Sequence, residues 1–223
     1  MEHGLKKILP VFVDASLVKE MMEVAITYRR REEPKKIGGV RIIHAPNKAL
    51  KKLQKRLLQF LYEWTLPPDF FGFVREKNIV DNALSHHVGA QGVPEWSINI
   101  DLKNAFPSVT KKILRKTLRR AFEQLQFPER KKIRELGNIS IGQFQEIFLR
   151  TVLRWGRLPQ GAPTSPYLLN LVLLREGILI AIEDVFMRLG VSLGNLSIYA
   201  DDISITTHEQ PSRELINAII AAV

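Results

Sequence analysis

Apolar residues recur at helical spacing from Asn47 to about Trp64. Leu50, Leu53, Leu57, Leu61 and Trp64 fall on one face, and Lys48, Lys51, Lys52, Lys55 and Arg56 fall on the other. Asn47, directly after Pro46, is the expected N-cap. A second amphipathic helix is predicted from about Thr110 to Leu125. Ile113, Leu114, Leu118, Ala121, Phe122 and Leu125 lie opposite Lys111, Lys112, Arg115, Lys116, Arg119 and Arg120. The period changes to two at Trp96–Leu102, where Ile98, Ile100 and Leu102 alternate with Ser97, Asn99 and Asp101. Leu196–Ala200 and Ile203–Thr206 pair as a hairpin with Asp201 and Asp202 at its tip, and residues 35–43 read as two short strands around Gly38-Gly39. Between them, residues 166–189 predict one helix of about 36 Å. It is opened by Ser165 as N-cap and Pro166 in the first turn, and closed by Gly190. This order of elements makes an α+β chain with the sheet in its second half.

Composition narrows the class. With 223 residues, 45% of them hydrophobic and 25% charged, the chain is long enough to bury a core and is neither disordered nor fibrous. The absence of cysteine removes disulfides, thiolate metal sites and cysteine nucleophiles, and fits a cytoplasmic protein. Ile8–Val13 is too short for a signal-peptide core. Arg175, Glu176, Glu183 and Asp184 interrupt the most apolar stretch, 166–186, so no membrane span is expected. The formal net charge of +10 is unevenly placed. Residues 1–94 hold 16 basic and 10 acidic residues, residues 95–157 hold 14 and 6, and residues 158–223 hold 3 and 7. A basic front and middle joined to an acidic end suits a polyanion partner and a separate place that gathers cations. Six basic and no acidic residues on one side of the 110–125 helix point to phosphate-backbone contact, with Lys112, Arg115, Lys116 and Arg119 as the candidates. A solvated face is the ordinary alternative for such a stripe.

Asp101 closes an apolar strand on the parity opposite its buried residues, and Asp201 and Asp202 interrupt a second apolar run. An Asp pair in a turn is unremarkable alone, because such side chains hydrogen-bond their own backbone. Acids that interrupt two separate sheet-core runs are harder to dismiss. Clustered carboxylates repel unless cations intervene, and hard oxygen donors suit Mg²⁺. Two such ions about 3.5–4 Å apart serve in-line phosphoryl transfer.

These residues sit in recognisable surroundings. Ile100-Asp101-Leu102-Lys103-Asn104-Ala105-Phe106-Pro107-Ser108 resembles motif A of reverse transcriptases. Arg157-Leu158-Pro159-Gln160-Gly161-Ala162-Pro163-Thr164-Ser165-Pro166, followed by Asn170, is similar to motif B, and Tyr199-Ala200-Asp201-Asp202 to motif C. Asn82-Ala83-Leu84-Ser85-His86 resembles the Asn-Ala-x-x-His box of retron reverse transcriptases, although His86 and His87 taken alone read as capping or packing residues. Group II intron and diversity-generating enzymes share much of the rest, and a group II intron-like or other defence-associated reverse transcriptase is the alternative within the family. Leu169 departs from the many relatives with Ser before the motif B Asn. RNA-dependent RNA polymerases typically carry Gly and Asp where this chain has Ala200 and Phe106.

The resemblance implies a right-hand polymerase fold. Helical fingers with a small β-hairpin would occupy 1–94 and 111–157, and a palm with an antiparallel sheet and packed helices would occupy 95–110 and 158–223. The thumb would lie beyond residue 223. The implied activity is RNA-templated DNA synthesis, with Asp101, Asp201 and Asp202 catalytic. The same three acids, with the Leu102 carbonyl, would hold two Mg²⁺ ions, for which Mn²⁺ can substitute. Lys35, Lys36, Arg41, Phe106, Gln160 and Gly161 would bind the incoming dNTP. The implied partners are an RNA template and primer, the RNA–DNA hybrid and dNTPs. A retron-type member adds a cognate structured non-coding RNA and an effector protein, in antiviral defence in the bacterial cytoplasm. A polymerase-like nucleic-acid-binding module is the alternative outside the enzymes.

Overall fold

The computed structural model describes residues 15–34, 38–87, 92–123 and 139–223. In chain order the elements are α1 (Ala15–Glu23), β1 (Tyr28–Pro34), β2 (Val40–Pro46), α2 (Lys48–Leu61), α3 (Ile79–Ser85), β3 (Trp96–Asp101) and α4 (Ala105–Ser108). They continue as α5 (Lys111–Glu123), α6 (Ile141–Val152), α7 (Ser165–Glu176), α8 (Ile178–Leu189), β4 (Leu193–Tyr199), β5 (Asp202–Thr207) and α9 (Arg213–Ala222). They fall into two compact units, each assembled from two stretches of chain. One is formed by the described parts of Met1–Thr65 with Asn104–Leu168, the other by those of Leu66–Lys103 with Leu169–Val223.

The first unit is helical with one hairpin. Asn47 caps α2 as expected: its side-chain oxygen accepts from the Leu50 amide at 2.8 Å, and its amide nitrogen donates to the Ala25 carbonyl at 3.0 Å. The stripe Leu50, Leu53, Leu57, Leu61 and Trp64 is buried. Phe122 of α5 anchors an edge-to-face aromatic cluster, with ring centroids 5.9 Å from Trp64, 5.3 Å from Phe144 and 5.9 Å from Phe148. Each such side chain contributes about 1.5–3 kcal/mol by leaving water. Gln54 lies in this core because its amide donates to the Thr151 carbonyl at 2.9 Å and to the Tyr28 hydroxyl at 3.0 Å.

The hairpin of this unit differs from the expectation. β1 occupies Tyr28–Pro34, upstream of the segment read as its first strand, and pairs with β2 from Tyr28↔Pro46 to Pro34↔Val40. β1 is nearly all polar, so no apolar alternation marked it; its strand state comes from pairing with β2. Lys35, Lys36 and Ile37 lie outside the described residues, as does Leu125, the expected end of α5.

The second unit holds an antiparallel sheet of order β3-β5-β4. Ile198, Ile203 and Ile205 are fully buried in it, with Ile182, Val185 and Phe186 of α8 and Leu215 and Ile219 of α9 also buried. Phe70 adds a parallel bridge to Ile198 on the outer side of β4. The helix expected over 166–189 is two helices. Gly177 adopts φ 75°, a left-handed conformation open to glycine without a Cβ penalty, and Ile178 begins α8 from it. Ser165, read as the cap, is instead the first helical residue of α7. Gly190 ends α8 as expected, with φ 65°. Among the described residues no helix is long and apolar enough to cross a membrane.

Candidate active site

β3 and β5 bring the acids of two distant sequence segments to one end of the sheet. Their register runs from Trp96↔Thr207 to Asp101↔Asp202, so the last pair of the ladder is two aspartates. Directly opposed residues on antiparallel strands project to the same face. On the other side of β5, Asp202 also pairs with Tyr199, leaving Ala200 and Asp201 as the two-residue turn. The tip is therefore Ala200-Asp201, and Asp202 belongs to the strand. Opposite the turn, the Leu102 amide donates to the Asp201 carbonyl at 2.9 Å, which fixes the backbone of motif A to that of motif C. Asp101 and Asp202 are exposed and Asp201 is half-buried. These are oxygen donors alone, in a chain without cysteine, and that chemistry fits a hard dication. Among the described residues, no group of three or more His, Asp or Glu side chains is already gathered as a metal cage.

The turn rests on a residue that sequence reasoning passed over. A Cβ added to Gly72 would lie 2.4 Å from the Ala200 nitrogen and 2.7 Å from the Tyr199 carbonyl carbon, both backbone atoms. The Ile198 amide donates to Asp69 at 2.8 Å, and the Phe71 amide returns a bond to Ile198 at 2.9 Å. Asn170 of motif B donates to the Gly72 carbonyl at 2.8 Å from a fully buried position. Ala200 itself has φ 58°, strained for a residue with a Cβ. The available signal was a lone Gly inside the aromatic run Phe70-Phe71-Gly72-Phe73, which marks close backbone approach.

The residues expected to meet the nucleotide lie in the first unit. Arg41 is exposed on β2, opposite Glu33 in the register. The Gln160 carbonyl accepts from the His44 amide at 2.7 Å, joining motif B to the same strand. Gly161 has φ 103°, and a Cβ there would meet the Ile43 side chain at 2.5 Å, so the close approach that glycine permits is to β2. Phe106 is 8% exposed, on a one-turn α4 that follows Asn104 at φ 55°. The Arg157 guanidinium donates to the Pro107 carbonyl at 2.5 Å, which pins that turn.

The basic face of α5 is real but partly neutralised. Lys111 pairs with Glu146 at 2.8 Å and Arg115 pairs with it at 2.5 Å, while Lys112, Lys116 and Arg119 are exposed. The bond from Lys111, above all, holds the Glu146 carboxyl below its ordinary range. His86 is the C-cap of α3, and its Nε2 lies 2.6 Å from the Ser197 hydroxyl on β4. Burial lowers its pKa. It joins α3 to β4 together with the bond from Asn195 to the Ser85 carbonyl at 2.7 Å. His86 is the packing histidine here.

Comparison with known proteins is consistent with this arrangement. Residues 33–223 match the family model described as reverse transcriptase (RNA-dependent DNA polymerase). The chain is 33% identical over 192 residues to the retron Mx65 reverse transcriptase of Myxococcus xanthus, covering 84% of this chain and 42% of that protein. It is 28% identical over 196 residues to the retron Ec83 reverse transcriptase of Escherichia coli, covering 83% and 54%. The chain thus spans about half the length, or less, of these curated relatives. A solved telomerase from Candida albicans, in complex with a fragment of telomeric RNA, superposes with a TM-score of 0.56 over 91% of this chain and 40% of its own, at 13% identity. That likeness shows a reverse-transcriptase-like polymerase fold, here with mixed helices and antiparallel sheets.

Proposed function

The chain belongs to the reverse transcriptase family, and we propose that it is the fingers and palm portion of a retron-type enzyme that copies RNA into DNA. In this reading, residues 1–94 and 111–157 are fingers and residues 95–110 and 158–223 are palm. The observation that carries the reading is the end of the β3-β5-β4 sheet, where Asp101 and Asp202 are register partners and Asp201 occupies the adjoining turn. Asp101 and Asp201, with the Leu102 carbonyl, would hold Mg²⁺ or its substitute Mn²⁺, and Asp202 would complete the acidic cluster. The ions, when bound, lower the pKa of the primer hydroxyl and offset charge on the triphosphate and departing pyrophosphate.

The protein's own work is placement. The bond from Leu102 to Asp201 keeps the two acid-bearing segments in one frame as substrates arrive. Arg41 offers a fork for phosphate oxygens, with Lys35 or Lys36 as a point charge. Gln160 and Gly161 lie beside the nucleotide. Phe106, buried and held on a pinned turn, is the residue this reading puts beneath the ribose, where it would exclude a 2′-OH and so select deoxyribonucleotides. The substrates are an RNA template, a primer and dNTPs. The retron-type assignment adds a cognate structured non-coding RNA, an effector protein and a bacterial cytoplasmic setting.

Primer extension on an RNA template tests the reading. The protein extends the primer with dNTPs and divalent metal, while Asp201→Ala and Asp101→Asn abolish extension. Undiminished extension by either variant overturns the assignment. Phe106→Val lowers the ratio of dNTP to rNTP incorporation efficiency by about 5–150-fold, the range for relieving one tight steric contact. An unchanged ratio moves the sugar gate elsewhere.

A further inference from the structure

Between α6 and the Leu158–Pro166 segment, Arg154 and Arg157 exchange both backbone hydrogen bonds, at 2.9 and 3.0 Å, and close a two-residue turn. Its central residues are Trp155 and Gly156, with φ of 52° and 74°. Positive φ at both positions is the pattern of a type I′ turn, which selects Asn, Asp or Gly. Gly156 suits it. Trp155 does not, since a bulky side chain in the left-handed region is strained. Burial does not compensate, because Trp155 is 84% exposed, the most exposed large apolar residue among those described.

The indole is nevertheless held in place. The Arg154 guanidinium carbon lies 3.4 Å from the centroid of the Trp155 rings, close enough for stacking and cation–π attraction. The His44 ring meets it edge-on, with centroids 6.0 Å apart. With Arg154 over one face and 84% of the residue exposed, the other face is open to solvent. The turn is tied to its surroundings within and after it: the Lys111 amide at the start of α5 donates to the Gly156 carbonyl at 2.7 Å, and three residues past the turn the Gln160 carbonyl accepts from the His44 amide at 2.7 Å. The nearest charge to the indole is the Arg154 guanidinium. Arg30 pairs with Glu32 at 2.6 Å, and Glu146 of α6 is engaged by Lys111 and Arg115.

We propose that Trp155, backed by Arg154, is a stacking platform for one unpaired base of a single-stranded RNA template. The proposal rests on the reading above that the chain binds an RNA template. An open aromatic face accepts any base, since every base has a π-face. A base inside a duplex has both faces occupied, so the platform takes an unpaired base, and of a duplex only the terminal pair. The Arg154 guanidinium behind the ring favours a ligand that carries phosphates over an apolar side chain of a protein.

The test compares wild type, Trp155→Ala and Trp155→Phe in fluorescence-anisotropy titrations with labelled single-stranded oligouridine and with an RNA duplex several times longer, in which terminal pairs are a small share of the sites. Trp155→Ala weakens single-strand binding by about 5–150-fold, the effect of removing one base–aromatic stack, and leaves duplex binding within about twofold. Trp155→Phe retains most of the affinity and, read in a Trp96→Phe background because Trp96 is also exposed while Trp64 is buried, loses the RNA-dependent quenching of indole emission. Equal losses on single strand and duplex, or unchanged single-strand affinity in Trp155→Ala, overturn the platform. If that happens while wild type still extends a primer, the polymerase reading stands and the platform alone falls. A wild type that neither binds RNA nor extends a primer removes both.

Discussion

In the hairpin β1–β2, six of the seven residues of β1 are exposed, whereas in β4–β5 Leu196, Ile198, Ile203 and Ile205 are buried. The first carries Arg29, Arg30, Arg31 and Arg41 and is fastened near its root, where Asn47 donates to Ala25 and His44 donates to Gln160. The second is covered along both edges, by β3 on β5 and by the Asp69–Phe71 segment on β4. The two hairpins share an antiparallel topology, so the strand pattern does not decide their use. Neighbours do. Acids that must keep a fixed mutual geometry belong on the enclosed hairpin, and cations that must adapt to phosphates belong on the open one.

Crowding the enclosed hairpin is the largest disturbance available without touching an acid. In Gly72→Ala, the new methyl meets the Ala200 and Tyr199 backbone rather than a movable side chain. Overpacking of this kind costs about 1–3 kcal/mol. Moving the Asp201 turn by about an ångström is expected to cut single-turnover extension by about 100-fold. Thermal melting and single-turnover extension should fall together. Normal values for both would mean that β4–β5 is no more constrained than β1–β2. The opposite split is expected when Arg29, Arg31 and Arg41 are all replaced by alanine. Melting changes little, because exposed substitutions away from special features stay within about 0.5 kcal/mol each. Nucleic-acid affinity drops, and its salt dependence flattens by about 0.7–0.9 for each phosphate no longer neutralised. A large drop in melting temperature would show that the open hairpin is structural after all.

Much of this contrast was legible in the sequence, and the parts that were not share a cause. α2 and α5 could be read because each has a distinct apolar stripe, and Asn47 and Gly190 act through their own side chain or backbone. The acid-bearing strands could be read because Asp101, Asp201 and Asp202 break apolar runs. The break at Gly177 was hidden because α7 is apolar nearly all round, so no stripe slips in phase there. β1 was missed because Arg29–Glu33 shows no alternation, and its strand state is conferred by β2. The run Phe70–Phe73 marks Gly72 as a point of close approach, but not that the approaching backbone is Ala200, and Trp155 runs against the Gly, Asn or Asp that its turn geometry favours, so the local pattern does not announce that turn. The ion pairs of Glu146 likewise join α6 to α5, and they change what the α5 stripe can offer a phosphate.

Acid separates the hairpins more gently. Each has a histidine with a lowered pKa: His86 against β4, where burial is the cause, and His44 on β2, where burial and then Arg154 and Arg30 are the causes. A histidine less readily protonated when folded than when unfolded stabilises the protein above its ordinary pKa of about 6.5. That contribution is lost as the pH falls through the folded value. Melting temperature should therefore decline below about pH 6.5. His86→Gln, which keeps a hydrogen-bonding group near Ser197, should flatten the decline more than His44→Gln, because the His86 ring is the more enclosed. Equal flattening would place both histidines in equivalent surroundings.

The smallest effect concerns the cations of α5, which are neither enclosed like β4–β5 nor open like β1–β2. Glu146 holds Lys111 and Arg115, so an arriving phosphate must compete with a carboxylate for two of the stripe's cations. Exposed ion pairs of this kind are worth about 0.2–1 kcal/mol, so Glu146→Gln should raise affinity for single-stranded RNA by about 1.5–5-fold at low salt. The same substitution should steepen the salt dependence, since each cation newly given to a phosphate adds about 0.7–0.9 to the slope. Protonation acts in the same direction. As the pH falls below the lowered carboxyl pKa, the wild type should approach the affinity of Glu146→Gln, and the two curves should merge. A competing carboxylate predicts that convergence, whereas general surface charge predicts parallel curves. If affinity and slope are unchanged by Glu146→Gln at every pH, Lys111 and Arg115 do not meet phosphate, and the α5 stripe is a solvated face.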